Sequence, residues 1–196
     1  MKFLVWLYKV FGKPLSDLWW INWSNFHWRK SIRHNIGICD EDNVETLEDI
    51  VALVKKLYQH FTWTADGIVE LFDSMTPPPQ NYQNYLDGHL YDDCDGFHAL
   101  VYHCLYNSGF TCYLLSAVAV GSGHCILLFK DKEGLWHVND YTRVYQGFKT
   151  PQEAITDYNE TFRVRYKTKT EVCFNGLVSY NYEKGKFEKV NVSDLK

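Results

Sequence analysis

The chain has 196 residues, 46% of them hydrophobic and 22% charged, which is typical of one soluble globular domain and excludes a disordered chain. A net charge of −4 at pH 7 argues against electrostatic binding to nucleic-acid phosphates, and no apolar run approaches the roughly 18 residues that a membrane span needs. The six cysteines form no CxxC pair and follow no secretory signal, so we expect reduced thiols in a cytoplasmic protein.

Aromatic side chains dominate the first part of the chain, which we interpret as an N-terminal extension over residues 1–45. Four tryptophans and four basic or imidazole side chains lie close together in it: Trp19, Trp20, Trp23, Trp28, Arg29, Lys30, Arg33 and His34. Aromatic faces and cations could contact nucleic acid or a membrane surface. Packing of the extension on the core is the favoured interpretation, because large aromatic residues of small proteins are usually buried.

Two helices are expected before the most informative part of the chain. Apolar residues recur at helical spacing over 46–61, and acidic residues in the first turn interact favourably with the helix dipole. A shorter helix is expected over 66–75, ended by the run of prolines that follows it. The polar stretch over 77–88 is then predicted to be a functional loop.

A cysteine at the start of the next predicted helix is the strongest candidate for chemistry. An aspartate supplies the N-cap of this helix, an apolar stripe runs along it, and Gly109 ends it. Cys94 lies in the first turn, where backbone N–H groups and the helix dipole stabilise a thiolate. Neighbouring aspartates oppose a second anion unless they accept hydrogen bonds from backbone N–H groups. Gly96 is expected to leave room for a substrate beside the sulfur.

The periodicity changes from helix to strand after Gly109. Three antiparallel strands are expected over 111–120, 124–129 and 135–141, joined by turns rich in glycine and charged residues. Strand-like alternation returns in three further segments, namely 162–166, 171–182 and a last strand near Val190. The helix that begins at the candidate cysteine is therefore expected to precede an antiparallel sheet.

A histidine and an aspartate lie on the second and third of these strands. If Phe129 pairs with Leu135 across the turn, His124 faces Asp140 on the same side of the sheet. Asp140 could then accept a hydrogen bond from one ring nitrogen of His124, while the other nitrogen addresses the thiol of Cys94. The sequence thus supplies a nucleophile, a base and an orienting carboxylate.

Two other interpretations of these side chains stay open. Cys94, His98 and His124 could hold a zinc ion, since His98 lies one helical turn after the cysteine. A buried cysteine is more often a small apolar side chain, which is the expectation for Cys104 and Cys112.

The chain resembles the transglutaminase-like cysteine peptidase superfamily in three short strings. They are Asp93-Cys94-Asp95-Gly96 at the helix start, Gly123-His124 on the second strand and Leu135-Trp136-His137-Val138-Asn139-Asp140 on the third. The resemblance covers residues 46–141 and implies an α+β fold with a papain/transglutaminase-like core, in which the nucleophile helix packs on an antiparallel sheet. It also implies that Cys94 is the nucleophile, His124 its base and Asp140 the residue that orients the histidine, within a catalytic domain over 46–196.

These expectations combine into thiol-dependent acyl transfer on amide bonds of a protein or peptide substrate, by a cysteine peptidase or amidase with a Cys-His-Asp triad. Hydrolysis is favoured over transfer to an amine because the chain is small, and no metal or organic cofactor is needed for this chemistry. The backbone N–H of Cys94 is the preferred oxyanion donor, since nothing selects among Gln80, Gln83 and Asn84. The alternative is a catalytically inactive relative that serves as a protein-binding or structural module.

Overall fold

The computed structural model describes residues 1–16, 20–28, 44–64 and 74–195. The helices are α1 (Lys2–Leu7), α2 (Lys13–Ser16), α3 (Asn22–Trp28), α4 (Leu47–Gln59), α5 (Pro78–Leu86), α6 (Cys94–Asn107) and α7 (Pro151–Arg165), with a π-helical turn over Tyr8–Gly12 and a 3-10 turn over Val192–Asp194. The strands are β1 (Thr62–Trp63), β2 (Tyr91–Asp92), β3 (Thr111–Ala119), β4 (Ser122–Lys130), β5 (Trp136–Asp140), β6 (Arg143–Phe148), β7 (Phe174–Asn181) and β8 (Lys186–Lys189).

Six strands form one antiparallel sheet in the order β6-β5-β4-β3-β7-β8. Helix α6 packs on one face, against β3 and β4, and α7 packs on the other face, against β5 and β6. Side chains of β4 alternate between two apolar clusters, so that Leu127 and Phe129 lie on the α6 side and Ile126 and Leu128 on the α7 side. The predicted α+β arrangement, with helices packed against an antiparallel sheet, is therefore confirmed.

The helix predicted over 46–61 is confirmed as α4, which begins at a reciprocal capping pair. The Thr46 hydroxyl accepts a hydrogen bond from the Asp49 N–H, and the Asp49 carboxylate accepts one from the Thr46 N–H. Val54 and Leu57, on the apolar stripe, are fully buried. Local capping and the burial of one face together determine where this helix begins and which way it faces.

A helix, α5, replaces the loop predicted over 77–88. Pro78 and Pro79 occupy its first two positions, where the missing backbone N–H is not needed and the fixed φ already suits a helix. Prolines that the sequence analysis treats as a helix stop therefore also start the next helix, which Tyr82 anchors in the core. Most of the helix predicted over 66–75 lies outside the described residues, and its last two residues are not helical.

The three strands predicted after α6 are confirmed as β3, β4 and β5, but the register of β4 against β5 differs from the prediction by two residues. Phe129 pairs with His137 and not with Leu135. Leu135 belongs to the turn, where its N–H donates to the carboxylate of the first turn residue. A shift of two residues keeps every side chain on its face, so His124 and Asp140 share a face as diagonal neighbours.

The prediction of a strand over 162–166 is wrong, because most of these residues form the last turn of α7. This helix begins at a second reciprocal capping pair, between Thr150 and Glu153, with Pro151 at the first helical position. Phe162 is fully buried against the sheet. Its alternation with polar neighbours, which suggests a strand over five residues, instead marks the buried side of a helix.

The other strands predicted near the end of the chain agree better with the structure. Strand β7 confirms the strand predicted over 171–182, and β8 confirms the last strand expected near Val190 within a few residues. Strand β6 is not predicted, because most of its side chains are exposed or half-buried and give no clear alternation. It pairs with β5 through a register shift between Trp136 and Val138.

The helices of the N-terminal segment differ in burial, because α3 packs on the core and α1 has no buried residue. In α3, Ser24 is buried and its hydroxyl accepts a hydrogen bond from the Met75 N–H, while the Asn25 amide exchanges two hydrogen bonds with the Phe187 backbone. No residue of α1 is buried. Across the described ranges, no helix combines the length and apolar character that crossing a bilayer requires. The boundary at residue 45 stays a prediction, and several residues of the extension lie outside the described residues: Trp19, Arg29, Lys30, Arg33, His34 and Cys39.

Candidate active site

Cys94 is the first residue of α6, and its sulfur lies against β4. The backbone N–H of Cys125 donates to the Cys94 Sγ at 3.3 Å, so the sulfur lies beside the residue that follows His124. Cys94 is a half-buried cysteine in the thiol form, whereas the other cysteines that the structure describes are buried, as expected for Cys104 and Cys112. A hydrogen bond from a backbone donor and the start of a helix both favour a thiolate. These two features therefore stabilise the anionic form of the sulfur.

A buried hydrogen-bonded chain links the imidazole to a carboxylate and a guanidinium. His124 Nε2 lies 3.0 Å from Asp140 Oδ1, and Arg165 donates to Asp140 Oδ2 from the last position of α7. The Tyr166 hydroxyl lies 3.0 Å from the same His124 Nε2. Asp140 is only 1% exposed, so water screens its charge little and its electrostatic interactions with these partners are strong. The structure thus brings His124 and Asp140 together and adds two residues to them.

The partners of His124 fix the position of its proton. A carboxylate can only accept a hydrogen bond, so the Asp140 contact requires the proton on Nε2 and leaves a lone pair on Nδ1. Burial and the nearby Asp140 carboxylate raise the pKa of Tyr166 to about 12, so its hydroxyl is neutral near pH 7 and its oxygen is a second acceptor for Nε2–H. Nδ1 is therefore the ring nitrogen that can take up a proton.

Asp140 stays ionised although it is buried. Burial alone would raise the pKa of this carboxyl group, but the hydrogen bond from His124 and the neighbouring positive charges, including that of Arg165, hold the pKa below its ordinary value. Arg165 is itself held by a 3.1 Å hydrogen bond to the Tyr145 hydroxyl. The Asp140 carboxylate thus accepts hydrogen bonds from both the His124 imidazole and the Arg165 guanidinium.

Aromatic rings enclose the imidazole of His124. The ring centroids of Tyr166, Tyr141 and Phe162 lie 4.9, 5.6 and 6.5 Å from the imidazole centroid. The Phe162 ring is nearly parallel to the imidazole, with an interplanar angle of 6°. Close packing of this kind restricts the imidazole to one orientation and limits its contact with water.

Three aspartates, Asp92, Asp93 and Asp95, lie at the start of α6. Asp92 Oδ1 accepts a hydrogen bond from the Asp93 N–H at 2.9 Å, and Asp93 Oδ1 accepts one from the Asp95 N–H at 3.0 Å. Because both carboxylates accept hydrogen bonds from backbone N–H groups, their negative charges oppose a thiolate on Cys94 less strongly. Ligand atoms of the three carboxylates lie within 4.8 Å of one another, a spacing that a cation could use. Acidic groups often cluster without a metal ion, so we assign no metal ion to these aspartates.

Gly96 makes room for a carboxylate and not for a substrate. A Cβ atom built at this position would lie 2.0 Å from the Cγ of Asp92, far inside van der Waals contact. The expectation that Gly96 opens space beside the sulfur is therefore wrong. The missing side chain lets the buried Asp92 side chain pack against the first turn of α6.

His98 uses both of its ring nitrogens in structural hydrogen bonds. Nδ1–H donates to the Cys94 carbonyl, and Nε2 accepts from the Tyr141 N–H at 3.0 Å. No ring lone pair is left for a metal ion, so the zinc site considered for Cys94, His98 and His124 is wrong in this structure. His98 instead joins the first turn of α6 to the residue that follows Asp140.

Acidification should destabilise the protein through His98. Burial, followed by the proximity of His124, lowers the pKa of His98 from 6.5 to about 4. Between these two pH values the unfolded chain binds a proton that the folded chain does not, so stability is full above the unfolded pKa and falls as the pH drops through it. We expect a loss of about 2 kcal/mol in unfolding free energy between pH 7 and pH 5, measured by urea denaturation.

The matched comparison uses a buried and an exposed histidine. In His98→Gln the loss of unfolding free energy between pH 7 and pH 5 that is due to His98 should disappear. In His89→Gln, at an exposed position, the unfolding free energy should depend on pH as it does in the natural chain. Equal pH dependence in the natural chain and in His98→Gln would show that this imidazole carries a proton in the folded state.

Two of the three side-chain amides considered as oxyanion donors, those of Gln80 and Gln83, donate hydrogen bonds within α5 or to its C-cap. Gln80 donates to the Asn84 side-chain oxygen at 3.0 Å, and Gln83 donates to an aspartate at the end of the helix at 2.9 Å. The first N–H groups of any helix have no intrahelical acceptor. The backbone N–H of Cys94, at the start of α6, therefore stays the preferred donor.

Arg165 and Tyr166 are contacts of the site that the sequence analysis does not identify. They lie at the end of α7, in a segment that the sequence analysis assigns to a strand. The capping pair between Thr150 and Glu153 is the sequence signal that could have predicted this helix. Even so, only the tertiary structure shows that its last turn reaches Asp140.

Comparisons with protein-family models, with curated proteins and with solved structures gave no match for this chain. The resemblance to the transglutaminase-like superfamily therefore depends only on the short strings that contain Cys94, His124 and Asp140. The hydrogen bonds and burial described above do not depend on that resemblance. They are the basis for the proposal that follows.

Proposed function

We propose that this protein is a thiol-dependent acyl-transfer enzyme of the transglutaminase-like cysteine peptidase class, with a papain/transglutaminase-like core. The observation that carries the proposal is the 3.3 Å contact of the Cys94 sulfur with the residue after His124, whose Nε2 lies 3.0 Å from a buried carboxylate. Covalent acyl transfer needs a nucleophile, a base beside it and a group that orients the base. The free thiols that the structure describes suit a reducing compartment such as the cytoplasm.

In the proposed reaction, His124 Nδ1 takes the proton of the Cys94 thiol, and the thiolate attacks the carbonyl carbon of an amide. The resulting oxyanion accepts hydrogen bonds from backbone N–H groups at the start of α6. The imidazolium returns its proton to the leaving amine, the C–N bond breaks, and the acyl group remains on the sulfur as a thioester. Asp140 accepts from Nε2–H throughout, and Arg165 holds Asp140.

The second half of the reaction decides between hydrolysis and transfer. Water, deprotonated by His124 Nδ1, attacks the carbonyl carbon of the thioester. The C–S bond then breaks, the imidazolium returns its proton to the Cys94 sulfur, and a carboxylic acid leaves, which makes the protein a peptidase or amidase. A primary amine in place of water would form a new amide. Hydrolysis of a protein or peptide is the preferred version because water, unlike a second amine substrate, needs no binding site of its own.

Acylation by an activated ester tests the proposal without knowledge of the substrate. p-Nitrophenyl acetate should release a burst of p-nitrophenolate equal to the enzyme concentration, and mass spectrometry should find one acetyl group on Cys94. Cys94→Ala should remove both signals, and Cys173→Ala, at a buried thiol, should keep them. Acetylation spread over several cysteines, or an unchanged burst in Cys94→Ala, would instead support the inactive binding module.

A further inference from the structure

Strands β4 and β5 separate at the point where the Cys94 sulfur lies. Continued by two residues past Leu127, their ladder would pair Cys125 with Tyr141. The structure joins these two residues to α6 instead. The Cys125 N–H donates to the Cys94 sulfur at 3.3 Å, and the Tyr141 N–H donates to His98 Nε2 at 3.0 Å. Two backbone donors at the end of the ladder are therefore taken by side chains of one helix.

A single imidazole joins the nucleophile to the turn after Asp140. Cys94 and His98 lie one turn apart on α6, so their side chains lie on the same side of the helix. The His98 ring is fully buried, and its centroid lies 5.1 Å from that of Tyr141 and 6.0 Å from that of His124. Its Nδ1–H donates to the Cys94 carbonyl. His98 is therefore fixed at both ring nitrogens, next to the imidazole of the proposed base.

The backbone of Tyr141 has a conformation that depends on its neighbours. Its φ is 52°, in the left-handed region that a bulky side chain rarely adopts. Its N–H is held by His98, and its carbonyl accepts from the buried Asn139 amide at 2.6 Å. Without the His98 acceptor, this N–H would be unpaired beside the core, which costs free energy. A continued ladder offers it the Cys125 carbonyl, and that bond would close the gap between the strands.

We infer that His98 is a positioning residue, which keeps the ends of β4 and β5 apart so that the Cys94 sulfur fits between them. This role requires the neutral ring, with the proton on Nδ1 and a lone pair on Nε2. Burial and the proximity of His124 lower the pKa of His98 to about 4, so the ring is neutral at pH 7. As a contribution to acyl transfer the inference rests on the proposed function, whereas the effect of His98 on the reactivity of the thiol does not.

Alkylation of Cys94 by iodoacetamide, followed by mass spectrometry, tests the inference. His98→Leu fills the space without an acceptor, and the alkylation rate at pH 7 should fall about tenfold because the sulfur loses the Cys125 N–H. His98→Gln places a carbonyl oxygen near the position of Nε2, so its rate should stay within about threefold of that of the natural chain. His98→Asn, whose amide is too short to reach Tyr141, should be as slow as His98→Leu, and it decides the case if His98→Leu does not fold.

A second buried histidine of α6 provides the control. His103 lies further along the helix, with its Nδ1 3.1 Å from the Tyr182 hydroxyl. His103→Leu should destabilise the protein and leave the alkylation rate of Cys94 within about twofold of that of the natural chain. Labelling of the buried cysteines reports unfolding, because unfolding would raise their reactivity, whereas the loss of His98 should lower that of Cys94 alone.

Three results would overturn the inference. They are an unchanged alkylation rate in His98→Leu and His98→Asn, a rate in His98→Gln as low as in His98→Leu, and an equal loss in His103→Leu. The burst of p-nitrophenolate separates this test from that of the proposed function. A natural chain without a burst, in which His98→Leu still slows alkylation, would reject acyl transfer and support the role of His98. A natural chain with a burst, in which His98→Leu leaves alkylation unchanged, would reject only the role of His98.

Discussion

Replacing His124 by alanine should lower the rate of Cys94 acylation by p-nitrophenyl acetate by about a thousandfold, the contribution typical of a positioned general base. His124 Nε2 is engaged with Asp140, and its Nδ1 lone pair is the base that the proposal assigns to the thiol. Burst kinetics at saturating ester measure this rate. The sulfur and its contact with the Cys125 N–H remain in this variant, so the effect isolates the imidazole.

A second histidine and aspartate pair on the same hairpin, in which the histidine is buried, provides the control. His137 Nε2 lies 2.8 Å from Asp131 Oδ2, at the turn end of β4 and β5. Phe129, which pairs with His137, is about 16 Å along β4 from His124 at ~3.3 Å per residue. His137→Ala should therefore destabilise the protein and leave the acylation rate within about twofold of the natural chain. Equal losses of rate in the two variants would contradict the role assigned to His124.

Arg165→Met should destabilise the folded protein by about 3 kcal/mol at pH 8, because it leaves the buried Asp140 carboxylate without its guanidinium partner. The carboxylate that orients His124 would also lose one of its two charged partners, so the imidazole should be held less firmly and the acylation of Cys94 should be slower. Urea denaturation measures the first effect, and burst kinetics measure the second.

A neighbouring arginine on α7 is the matched control for this substitution. Arg163 pairs with Glu160 at the surface, where a salt bridge contributes only about 0.5 kcal/mol. Arg163→Met should therefore leave the acylation rate unchanged and should change the stability by no more than about 0.5 kcal/mol. If Arg165→Met behaves like Arg163→Met, the Arg165 contact does not hold Asp140 in solution.

The parts of the fold that can be predicted are those fixed by local signals. The reciprocal capping pair at Thr46 and the N-cap at Asp93 define the starts of α4 and α6 within the sequence itself. Alternation over 111–141 predicts three strands for the same reason. The failures have local causes too, since Pro78 is compatible with either end of a helix, and residues 162–166, at the end of α7, resemble a strand.

The site is predictable only in part, because its geometry depends on tertiary contacts. The shared face of His124 and Asp140 follows from strand alternation, and it survives an error of two residues in the register. The contacts of Arg165 and His98 do not follow from the sequence, since each crosses from one element to another that is distant along the chain. Packing of α6 and α7 on the sheet decides them.

The pH dependence of Cys94 alkylation by iodoacetamide is the most direct measurement of the central claim. A thiolate favoured by the start of α6, by the Cys125 N–H and by His124 Nδ1 as the acceptor of the thiol proton should react at a rate that is already near its maximum at pH 7. In His124→Ala the rate at that pH should fall and should rise steeply toward pH 9. A rate that rises steeply toward pH 9 in the natural chain, and that His124→Ala leaves unchanged, would contradict the claim that thiol and imidazole act as one unit.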